Sequence, residues 1–585
     1  MIVSITFHFS THINILPKEK LLNYFTIATY RFCISINKKS LYNVTWAGKR
    51  LQYFNSINKQ TRGENIKMET HRKGIFQRFL DGVEWLGNKL PHPITLFAIL
   101  AGLVLVLSAA LQPLGISVEH PGEEGKMVEI NNLLNAEGLK YIFGSMTDNF
   151  IGFAPLGVVL VTMLGIGVAE RTGLISALLR GFVLSVPTRF ITLGLVFAGV
   201  MSSVASDAGY VVLPPLGALI FAAMGRHPLA GLAAAFAGVS AGFSANLLLS
   251  GTDVMLGELT IAAASTIDPA YAETMNIAMN WFFIAVSVFL LTIIGTWVTE
   301  RVVVPRLGEY KGEDAEESIH DDGLEGLKSA EKKGIIWAAI SLIVGLVLTA
   351  LLVLPENAPL RGTEGNYMDQ IIQSPFMDSL VPIIAILFFI PGLVYGMVTK
   401  NIRNDKDVAA QMSDTMASMG MFIVLAFTAG QFVAYFNESN MGMVLGVYGA
   451  EFLDGINLTG IPLILMFVLI TGFINLFIGS ASAKWAMMAP IFVPIMMQLG
   501  YSPELTQMAY RVADSSTNII TPLMTYFAII IAFAQKYDKK MGIGTMISVM
   551  LPYSIYFLIG WTIMLVVWML LGIPLGPGSP IIYGG

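Results

Sequence analysis

The sequence contains a single cysteine, Cys33, and only seven histidines among 585 residues. One cysteine excludes an internal disulfide framework and a metal site built from cysteines. The histidines are few and mostly scattered, so catalytic zinc is not expected. Charged residues make up 13% of the chain, against about 25% in soluble proteins. The net charge of −5 and the lack of a basic stripe with interleaved aromatics argue against nucleic acid as a partner.

Hydrophobic residues make up 55% of the chain. Apolar runs of about 20 residues recur, and each is long enough to cross a hydrocarbon layer of about 30 Å. Examples are 93–111, 151–169, 281–298, 335–354 and 380–397. The sequence therefore predicts an all-α polytopic membrane protein, surrounded by the lipid bilayer.

Positive charge predicts which loops face the cytoplasm, because short cytoplasmic loops carry the excess of Lys and Arg. Basic residues precede the first span and recur at 171–189, 226, 301–333, 400–406 and 536–540. The stretches that carry few or no basic residues, and that we therefore place outside, are 113–149, 257–275, 355–377 and 436–460. This pattern predicts that the N-terminus lies on the inner side of the membrane.

Composition also divides the chain into segments. Residues 1–67 are rich in Asn, Lys, Ile and Tyr without a span of bilayer length, and we predict a non-native or disordered extension, with translation starting at Met68. A first half covers 68–307 and a second half covers 335–585. The charged stretch 308–334 between them is typical of a cytoplasmic linker.

Two apolar segments begin and end on the same predicted side of the membrane. The first, about 189–226, starts and ends inside, and the second, about 458–502, starts and ends outside. Each is predicted to be a re-entrant hairpin whose tip lines a cavity, because irregular backbone at membrane depth needs protein or water around it. Each is followed by a helix interrupted by small polar residues, at about 228–255 and 503–533.

The two hairpins resemble each other at a separation of 275 residues. That offset superposes Pro215 on Pro490, Gly225 on Gly500, Pro228 on Pro503 and Tyr210 on Trp485. The hairpins open toward opposite sides, so the halves are predicted to be inverted repeats, which in secondary transporters meet at a midplane binding site. Chance similarity between Gly- and Pro-rich helices is the alternative.

Few charged residues fall within membrane-embedded segments, and each is a functional candidate because burial in lipid is costly. They are Asp207 and Lys484 in the two tips, Asp253 after the first broken helix, and Arg511 and Asp514 in the second. Arg511 and Asp514 lie one turn apart, so an internal salt bridge between them is the structural alternative. For Asp207 the alternative is a cap on a half-helix.

A broken helix offers free carbonyls, hydroxyls and a carboxylate, which together can replace the water shell of a cation such as Na⁺. We predict such a site where Asp514 faces the second hairpin, with sodium held by the side chains of Asp514 and Asn475. The remaining members of the predicted cation-binding set are Gly479, Ser480, Ser515 and Asp207.

Arg511 is then available for an anionic substrate, because its planar guanidinium suits a carboxylate. Trp485, and Tyr210 at the equivalent position, could stack on an aromatic ring; for Trp485 the alternative is an interfacial belt residue. Ser482 in the second tip completes the substrate set that the residues themselves suggest. Phe236 stands at the position equivalent to Arg511, so the predicted anion site is asymmetric.

The stretches "NKLPHPITLF", "FAPLGVVLVTMLGIGVAERTGLISALL", "SASAKWAMMAPIFVPIMMQLG" and "RVADSSTNIITPLMTYF" closely resemble the AbgT family of p-aminobenzoyl-glutamate transporters. The resemblance covers about 80–578. It implies a homodimer with nine spanning helices, two hairpins and a cation-coupled cycle. It also implies roles in the substrate path for Asp253, Trp485, Pro503 and Arg511, and a sodium site at Asn475 with Asp514.

That resemblance implies transport of p-aminobenzoyl-glutamate, a folate breakdown product with two carboxylates, across the bacterial cytoplasmic (inner) membrane. Uptake against a −100 mV interior costs about 2.3 kcal/mol per charge, so at least two cations must accompany the dianion. Na⁺ or H⁺ is expected as the coupling ion, with no other cofactor. A second cation site at 240–246, with Asp207 or Asp253, or a proton on one of those aspartates, would supply the remainder.

Three other functions stay open from the sequence. A proton-driven efflux pump for sulfonamide-type antimetabolites is the alternative within the transporter class. An intramembrane hydrolase could use Lys484 with Ser480 or Ser482 as a Ser–Lys dyad. A passive channel is the third, although two opposed hairpins give no continuous pore. The prediction is a transporter and not an enzyme.

Overall fold

The structure is a computed structural model that describes residues 91–119, 125–205, 208–310, 326–363, 365–367, 369–524 and 526–584. The predicted extension 1–67, residues 311–325 of the predicted linker, and Asp207 lie outside the described residues.

The described chain is almost entirely helical. In the first half the helices are α1 (Pro93–Leu111), α2 (Ala136–Ile151), α3 (Ala154–Arg171), α4 (Leu174–Ser185), α5 (Ile191–Met201), α6 (Ala208–Ala223), α7 (Pro228–Phe236), α8 (Gly251–Ala264), α9 (Pro269–Thr274), α10 (Trp281–Val298) and α11 (Val304–Leu307). In the second half they are α12 (Ser329–Val353), α13 (Asp369–Ile372), α14 (Pro375–Asp378), α15 (Leu380–Thr399), α16 (Asp405–Ser418), α17 (Gly420–Glu438), α18 (Met441–Gly455), α19 (Gly460–Asn475), α20 (Ala481–Gln498), α21 (Pro503–Asn518), α22 (Phe527–Gln535) and α23 (Ile543–Leu571).

Seven helical segments of the described chain are long and apolar enough to cross a membrane by themselves. The count reaches nine when two sharply bent pairs, α4 with α5 and α18 with α19, are each taken as one span; their bends are 112° and 118°. The predicted all-α polytopic architecture is confirmed. Each bent pair joins a short helix to the first arm of a predicted hairpin, because α5 and α19 are those arms.

A small β-hairpin lies in the stretch predicted to be outside. Strands β1 (Ser117–Glu119) and β2 (Met127–Glu129) are antiparallel, with Val118 opposite Val128. The side-chain amide of Asn440 donates to the carbonyl of Glu129 at 2.9 Å. This bond ties the β-hairpin to the corner between α17 and α18.

The two hairpins match in their borders. Helix α6 ends at Ala223 and α20 ends at Gln498, and the following helices begin at Pro228 and Pro503, in both cases 275 residues apart. Proline suits the first helical position because that residue needs no N–H donor there. The repeat spacing inferred from the sequence therefore coincides with the helix ends, whereas the opposite orientation of the repeats stays a prediction.

The turns between hairpin and broken helix also have the same hydrogen bonds. The amide of Arg226 donates to the carbonyl of Phe221 at 2.8 Å, and the amide of Tyr501 donates to the carbonyl of Met496 at 2.9 Å. The glycine before each amide, Gly225 or Gly500, has a positive φ of 69° or 82°. A left-handed residue after a helix favours glycine, so the turn geometry explains this residue at both corners.

An interruption follows each of α7 and α21, at different distances from the start of the helix. Helix α7 widens into a π-turn at Ala237–Ala241, and an irregular stretch follows before α8 starts at Gly251. Helix α21 continues to Asn518 before its own break. The break after α21 approaches the second hairpin closely, because a Cβ on Gly479 would lie 2.7 Å from the carbonyl oxygen of Leu523.

The C-terminal tail runs back across the corner that joins α20 to α21. The amide of Ser502 donates to the carbonyl of Ile581 at 3.1 Å, and the amide of Tyr583 donates to the carbonyl of Gly500 at 3.0 Å. Earlier in the tail, the carbonyl of Leu575 accepts from the amide of Phe283 at 3.1 Å. The last described residues therefore connect the second hairpin corner with α10 of the first half.

Candidate functional site

Helix α21 lies at the centre of the described protein. All of its side chains are buried, although the helix contains Glu504, Arg511 and Asp514. Charged residues are stable in such a place only when they are paired or hydrogen-bonded. The partners of Arg511 and Asp514 therefore define the chemistry of the site.

Arg511 pairs with Asp253 of α8. A terminal guanidinium nitrogen lies 2.5 Å from Asp253 Oδ1 and also donates to the carbonyl of Ser244 at 3.3 Å. The other carboxylate oxygen accepts from the amide and hydroxyl of Ser250, both at 2.7 Å, as the N-terminal cap of α8. Arg511 and Asp253 are each 2% exposed, so the pair is sealed between the first and second halves.

Asp514 pairs with Lys484 of the second hairpin. The ammonium nitrogen lies 2.5 Å from Asp514 Oδ1, and Lys484 has no exposed surface. The same nitrogen donates to the side-chain oxygen of Asn475 and to the carbonyl of Ile478. Arg511 and Asp514 thus do not form the internal salt bridge that the sequence left as an alternative, because each is paired with a residue from another element.

Asn475 connects the Lys484–Asp514 pair with the end of α21. Its side-chain nitrogen donates to the carbonyl of Asp514 at 2.6 Å and to Asn518 Oδ1 at 2.9 Å. The hydroxyl of Thr521 donates to the carbonyl of Asn475 at 3.2 Å. The amide of Asn475 therefore has a fixed orientation, with its oxygen on Lys484 and its nitrogen on α21.

The predicted cation-binding residues are brought together only in part. Asn475 and Asp514 meet, and the ammonium of Lys484 contacts the oxygens that were predicted to hold sodium. These oxygens are chemically suited to a hard monovalent cation. The hydroxyl of Ser515 instead accepts from the amide of Ser244 at 3.2 Å, which places it against the first broken helix.

A cavity of about 520 Å³ lies beside this cluster. Its walls come from the start of α1, from Tyr210 and Phe243 of the first half, and from the second hairpin tip with the break after α21. The polar residues among its lining are His92, Ser480 and Asn518. The predicted site residues Tyr210, Gly479 and Ser480 line the cavity, and so does Ile478, whose carbonyl accepts from Lys484.

Two tyrosine rings stack face to face on this cavity. The ring centroids of Tyr210 and Tyr526 are 4.6 Å apart, and the planes differ by 8°. Phe236, at the position equivalent to Arg511, packs edge-on against Tyr210 with a centroid distance of 6.4 Å. Tyr210 of the first half and Tyr526 of the second half therefore give the cavity an aromatic surface.

The other predicted substrate residues do not line this cavity. Trp485 is fully buried, packs on Tyr510 at a centroid distance of 4.5 Å, and donates to Thr260 at 2.9 Å. Pro503 is the buried first residue of α21, and Ser482 faces a small void toward α8 and α17. Asp207, a predicted cation-binding residue, lies outside the described residues.

Three contributors were not assigned to the substrate or cation site from the sequence. Lys484 was recognised as a buried charge, yet its pairing with Asp514 was not predicted; it is the only Lys or Arg between 407 and 510, which is a usable signal. Asn518 and Tyr526 carry no such signal, because a single amide or aromatic residue is common near any helix break.

The fold and the site together define a secondary membrane transporter: broken helices with buried charge pairs meet two hairpins beside a cavity. Among the described contacts, the side-chain ammonium of Lys484 donates to Asp514, Asn475 and Ile478 and to neither serine hydroxyl, Ser480 or Ser482, so the Ser–Lys dyad is not assembled. Residues 78–583 match the model of the AbgT putative transporter family. The chain belongs to the AbgT family, whose members are transporters and not enzymes.

Three relatives show how far the likeness extends. The p-aminobenzoyl-glutamate transport protein of Escherichia coli (strain K12) is 40% identical over 496 residues, which cover 85% of this chain and 95% of the relative. The structure of the Alcanivorax borkumensis YdaH transporter, described as having an unusual topology, matches with a TM-score of 0.78 and 45% identity over 83% of this chain and 100% of that one. The structure of Neisseria gonorrhoeae MtrF, described as illuminating a class of antimetabolite efflux pumps, matches with a TM-score of 0.80 and 47% identity over 86% of this chain and 100% of that one.

Proposed function

We propose that this protein moves p-aminobenzoyl-glutamate across the bacterial inner membrane, coupled to a sodium or proton gradient, as a homodimer with its N-terminus inside. The observation that carries the proposal is the cavity of about 520 Å³ between aromatic rings and the charged cluster. Its volume lies within the range of about 300–1,000 Å³ that small-molecule sites occupy. The E. coli relative is named for this substrate.

The lining of the cavity suits the two ends of this substrate. The stacked rings of Tyr210 and Tyr526 offer a flat apolar surface for the benzoyl ring. Ser480 and Asn518 lie at the polar side, next to the network around Lys484 and Asp514. Arg511 is engaged by Asp253 in this conformation, so a substrate carboxylate would reach it only after that pair separates.

The electrical cost of uptake requires coupling. The substrate carries two negative charges, and each costs about 2.3 kcal/mol to move inward against 100 mV. At least two cations must therefore enter with it. Asp514 with Asn475 is the proposed site for one of them, and the first broken helix at 240–246 with Asp253 is the proposed region for another.

A second candidate function is efflux of sulfonamide-type antimetabolites driven by proton antiport. The likeness to the Neisseria protein favours it, since that structure is described in terms of antimetabolite efflux. The cavity borders the start of α1, which we place on the cytoplasmic side, so the same conformation would release an imported substrate or load an exported one.

Uptake into proteoliposomes tests both functions. Labelled p-aminobenzoyl-glutamate is offered with an imposed sodium or proton gradient to the wild-type protein, to Arg511→Ala and Asp514→Ala, and to the exposed control Lys406→Ala. We expect saturable accumulation of intact substrate by the wild-type protein and the control, and loss in the two site variants. Transport that is unchanged without sodium at fixed pH would remove sodium from the proposal, and sulfonamide export without inward accumulation would favour the efflux function. Native mass spectrometry of the purified protein checks the homodimer.

A further inference from the structure

The ammonium of Lys484 occupies the place that a coupling cation would take. It contacts Asp514 Oδ1 at 2.5 Å, the side-chain oxygen of Asn475, and the carbonyl of Ile478 at 3.3 Å. A carboxylate, an amide oxygen and a carbonyl are also the ligands that a hard monovalent cation prefers. An ammonium and a metal ion cannot use the same oxygens together, so one must leave before the other binds.

Charge balance decides where the ammonium can go. If a cation joined Lys484 at Asp514, two positive charges would share one carboxylate in a site with almost no exposed surface. If Lys484 left without a new partner, a bare ammonium would lie at membrane depth. Both arrangements are costly in a medium of low dielectric constant. A carboxylate that arrives from the cavity removes both costs, because it pairs with the ammonium.

The cavity is within reach of Lys484. Ile478, whose carbonyl accepts from the ammonium, lines the cavity, and so does Ala483, the residue before Lys484. Asn518 also lines it and accepts from the amide of Asn475. Neither Lys484 nor Arg511 is itself among the cavity-lining residues. They differ in their acceptors, because Ile478 lines the cavity whereas Asp253 and Ser244, the two acceptors of the Arg511 guanidinium, do not. Of the two buried cations described in α20 and α21, Lys484 is therefore the one next to the cavity.

We propose that Lys484 exchanges partners during transport, moving its ammonium from Asp514 to a carboxylate of the substrate in the cavity while the coupling cation takes its place on Asp514 and Asn475. This inference rests on the proposed transport function and gives it a residue that links the two ligands. The substrate opens the cation site, and the cation frees the anion-binding lysine. Coupling of this kind is reciprocal, so each ligand must raise the affinity for the other by the same factor.

The test measures sodium binding directly rather than transport. Intrinsic tryptophan fluorescence of the purified full-length protein is titrated with NaCl against choline chloride at constant ionic strength. Trp485 is a suitable reporter because it packs on Tyr510, whose hydroxyl lies 3.4 Å from Asp514 Oδ1. For the wild-type protein, we expect saturating p-aminobenzoyl-glutamate to lower the sodium midpoint at least about tenfold, in line with the coupling of close charge pairs.

Variants of Lys484 separate this proposal from the function on which it rests. Without substrate, Lys484→Gln should bind sodium at least about tenfold more tightly than the wild type, and substrate should no longer lower its midpoint. The exposed control Lys406→Gln should behave as the wild type. The double variant Lys484→Gln/Asp514→Asn should lose the sodium response. It controls for folding, because it replaces the buried ion pair with two neutral side chains and leaves no unpaired charge.

Two results would overturn the exchange. One is an equal sodium midpoint in Lys484→Gln and the wild type without substrate, and the other is a wild-type midpoint that bound substrate does not change. If Lys484→Gln is unstable in choline, its thermal unfolding is measured in both salts: rescue by sodium supports the proposal, and the absence of rescue contradicts it. Failure of p-aminobenzoyl-glutamate to bind the wild type would refute the proposed substrate. The sodium midpoints of Lys484→Gln and the wild type without substrate would still test whether Lys484 competes with sodium.

Discussion

Removing one partner of the Arg511–Asp253 pair should destabilise the protein by an amount that depends on which partner is removed. After Arg511→Met, the carboxylate of Asp253 keeps the two hydrogen bonds from Ser250. After Asp253→Asn, the guanidinium keeps its full charge with only a neutral amide and the carbonyl of Ser244 at 3.3 Å as acceptors. The Nε of Arg511 is already buried without a partner. The second variant therefore leaves the less compensated charge.

Breaking a buried ion pair on one side costs about 3–5 kcal/mol, because the remaining charge stays in a medium of low dielectric constant. We assign Arg511→Met to the lower end of this range and Asp253→Asn to the upper end. The double variant should lose less stability than either single variant, and so less than the sum of the two single losses, since no charge then remains buried without a partner.

Thermal unfolding of the purified protein, followed by tryptophan fluorescence, gives the ranking. The expected order of apparent Tm is wild type, double variant, Arg511→Met and then Asp253→Asn. The exposed Lys406→Met serves as a matched control that removes a cation from the surface. Additive losses in the double variant, or a lower Tm for Arg511→Met than for Asp253→Asn, would show that the pair is not sealed as described.

Three further predictions concern the cavity, the second tip and the C-terminal tail. Tyr526→Ala should raise the KM for p-aminobenzoyl-glutamate by a factor that corresponds to about 0.5–1.5 kcal/mol, whereas Tyr526→Phe should leave the KM unchanged. Uptake kinetics measure both values, and equal KM values in the wild type and the two variants would exclude stacking of the substrate ring on Tyr526. Gly479→Ala should lower the apparent Tm by an amount that corresponds to about 1–3 kcal/mol, because the new Cβ would lie 2.7 Å from the backbone oxygen of Leu523; an unchanged Tm would mean that the tip is not packed there. The backbone N–H of Tyr271 lowers the pKa of Asp268, burial opposes this with a smaller effect, and the hydroxyl of Tyr583 lowers the pKa further. The Asp268 carboxylate therefore stabilises the fold fully above its ordinary pKa of 3.8, and this stabilisation is lost as the pH falls through the lowered pKa. Hydrogen exchange of the tail should rise over that interval in the wild type and not in Asp268→Asn; an identical pH profile in both would contradict this.

The borders of the hairpins and half-helices could be predicted from sequence because local chemistry sets them. Pro228 and Pro503 fit the first position of a helix, and Gly225 and Gly500 fit the left-handed residue before it. These requirements act within a few residues of the chain. The spacing between the halves then follows by comparison of one half with the other.

The pairing of the charges could not be predicted in the same way. Helical spacing places Arg511 and Asp514 on neighbouring positions, and a pair between them was the alternative considered. Which carboxylate reaches Arg511 depends on how α8 packs against α21, and which cation reaches Asp514 depends on the path of the second tip. Both are tertiary features with contacts separated by 258 and 30 residues along the chain. No local pattern contains that information.

The C-terminal tail has a practical consequence for anyone who engineers this protein. Because Tyr583 and Ile581 are hydrogen-bonded to Gly500 and Ser502, this part of the tail holds the corner before α21 in place. A purification tag inserted at Ile581–Tyr583, or deletion of these residues, would break the hydrogen bonds and destabilise the start of α21.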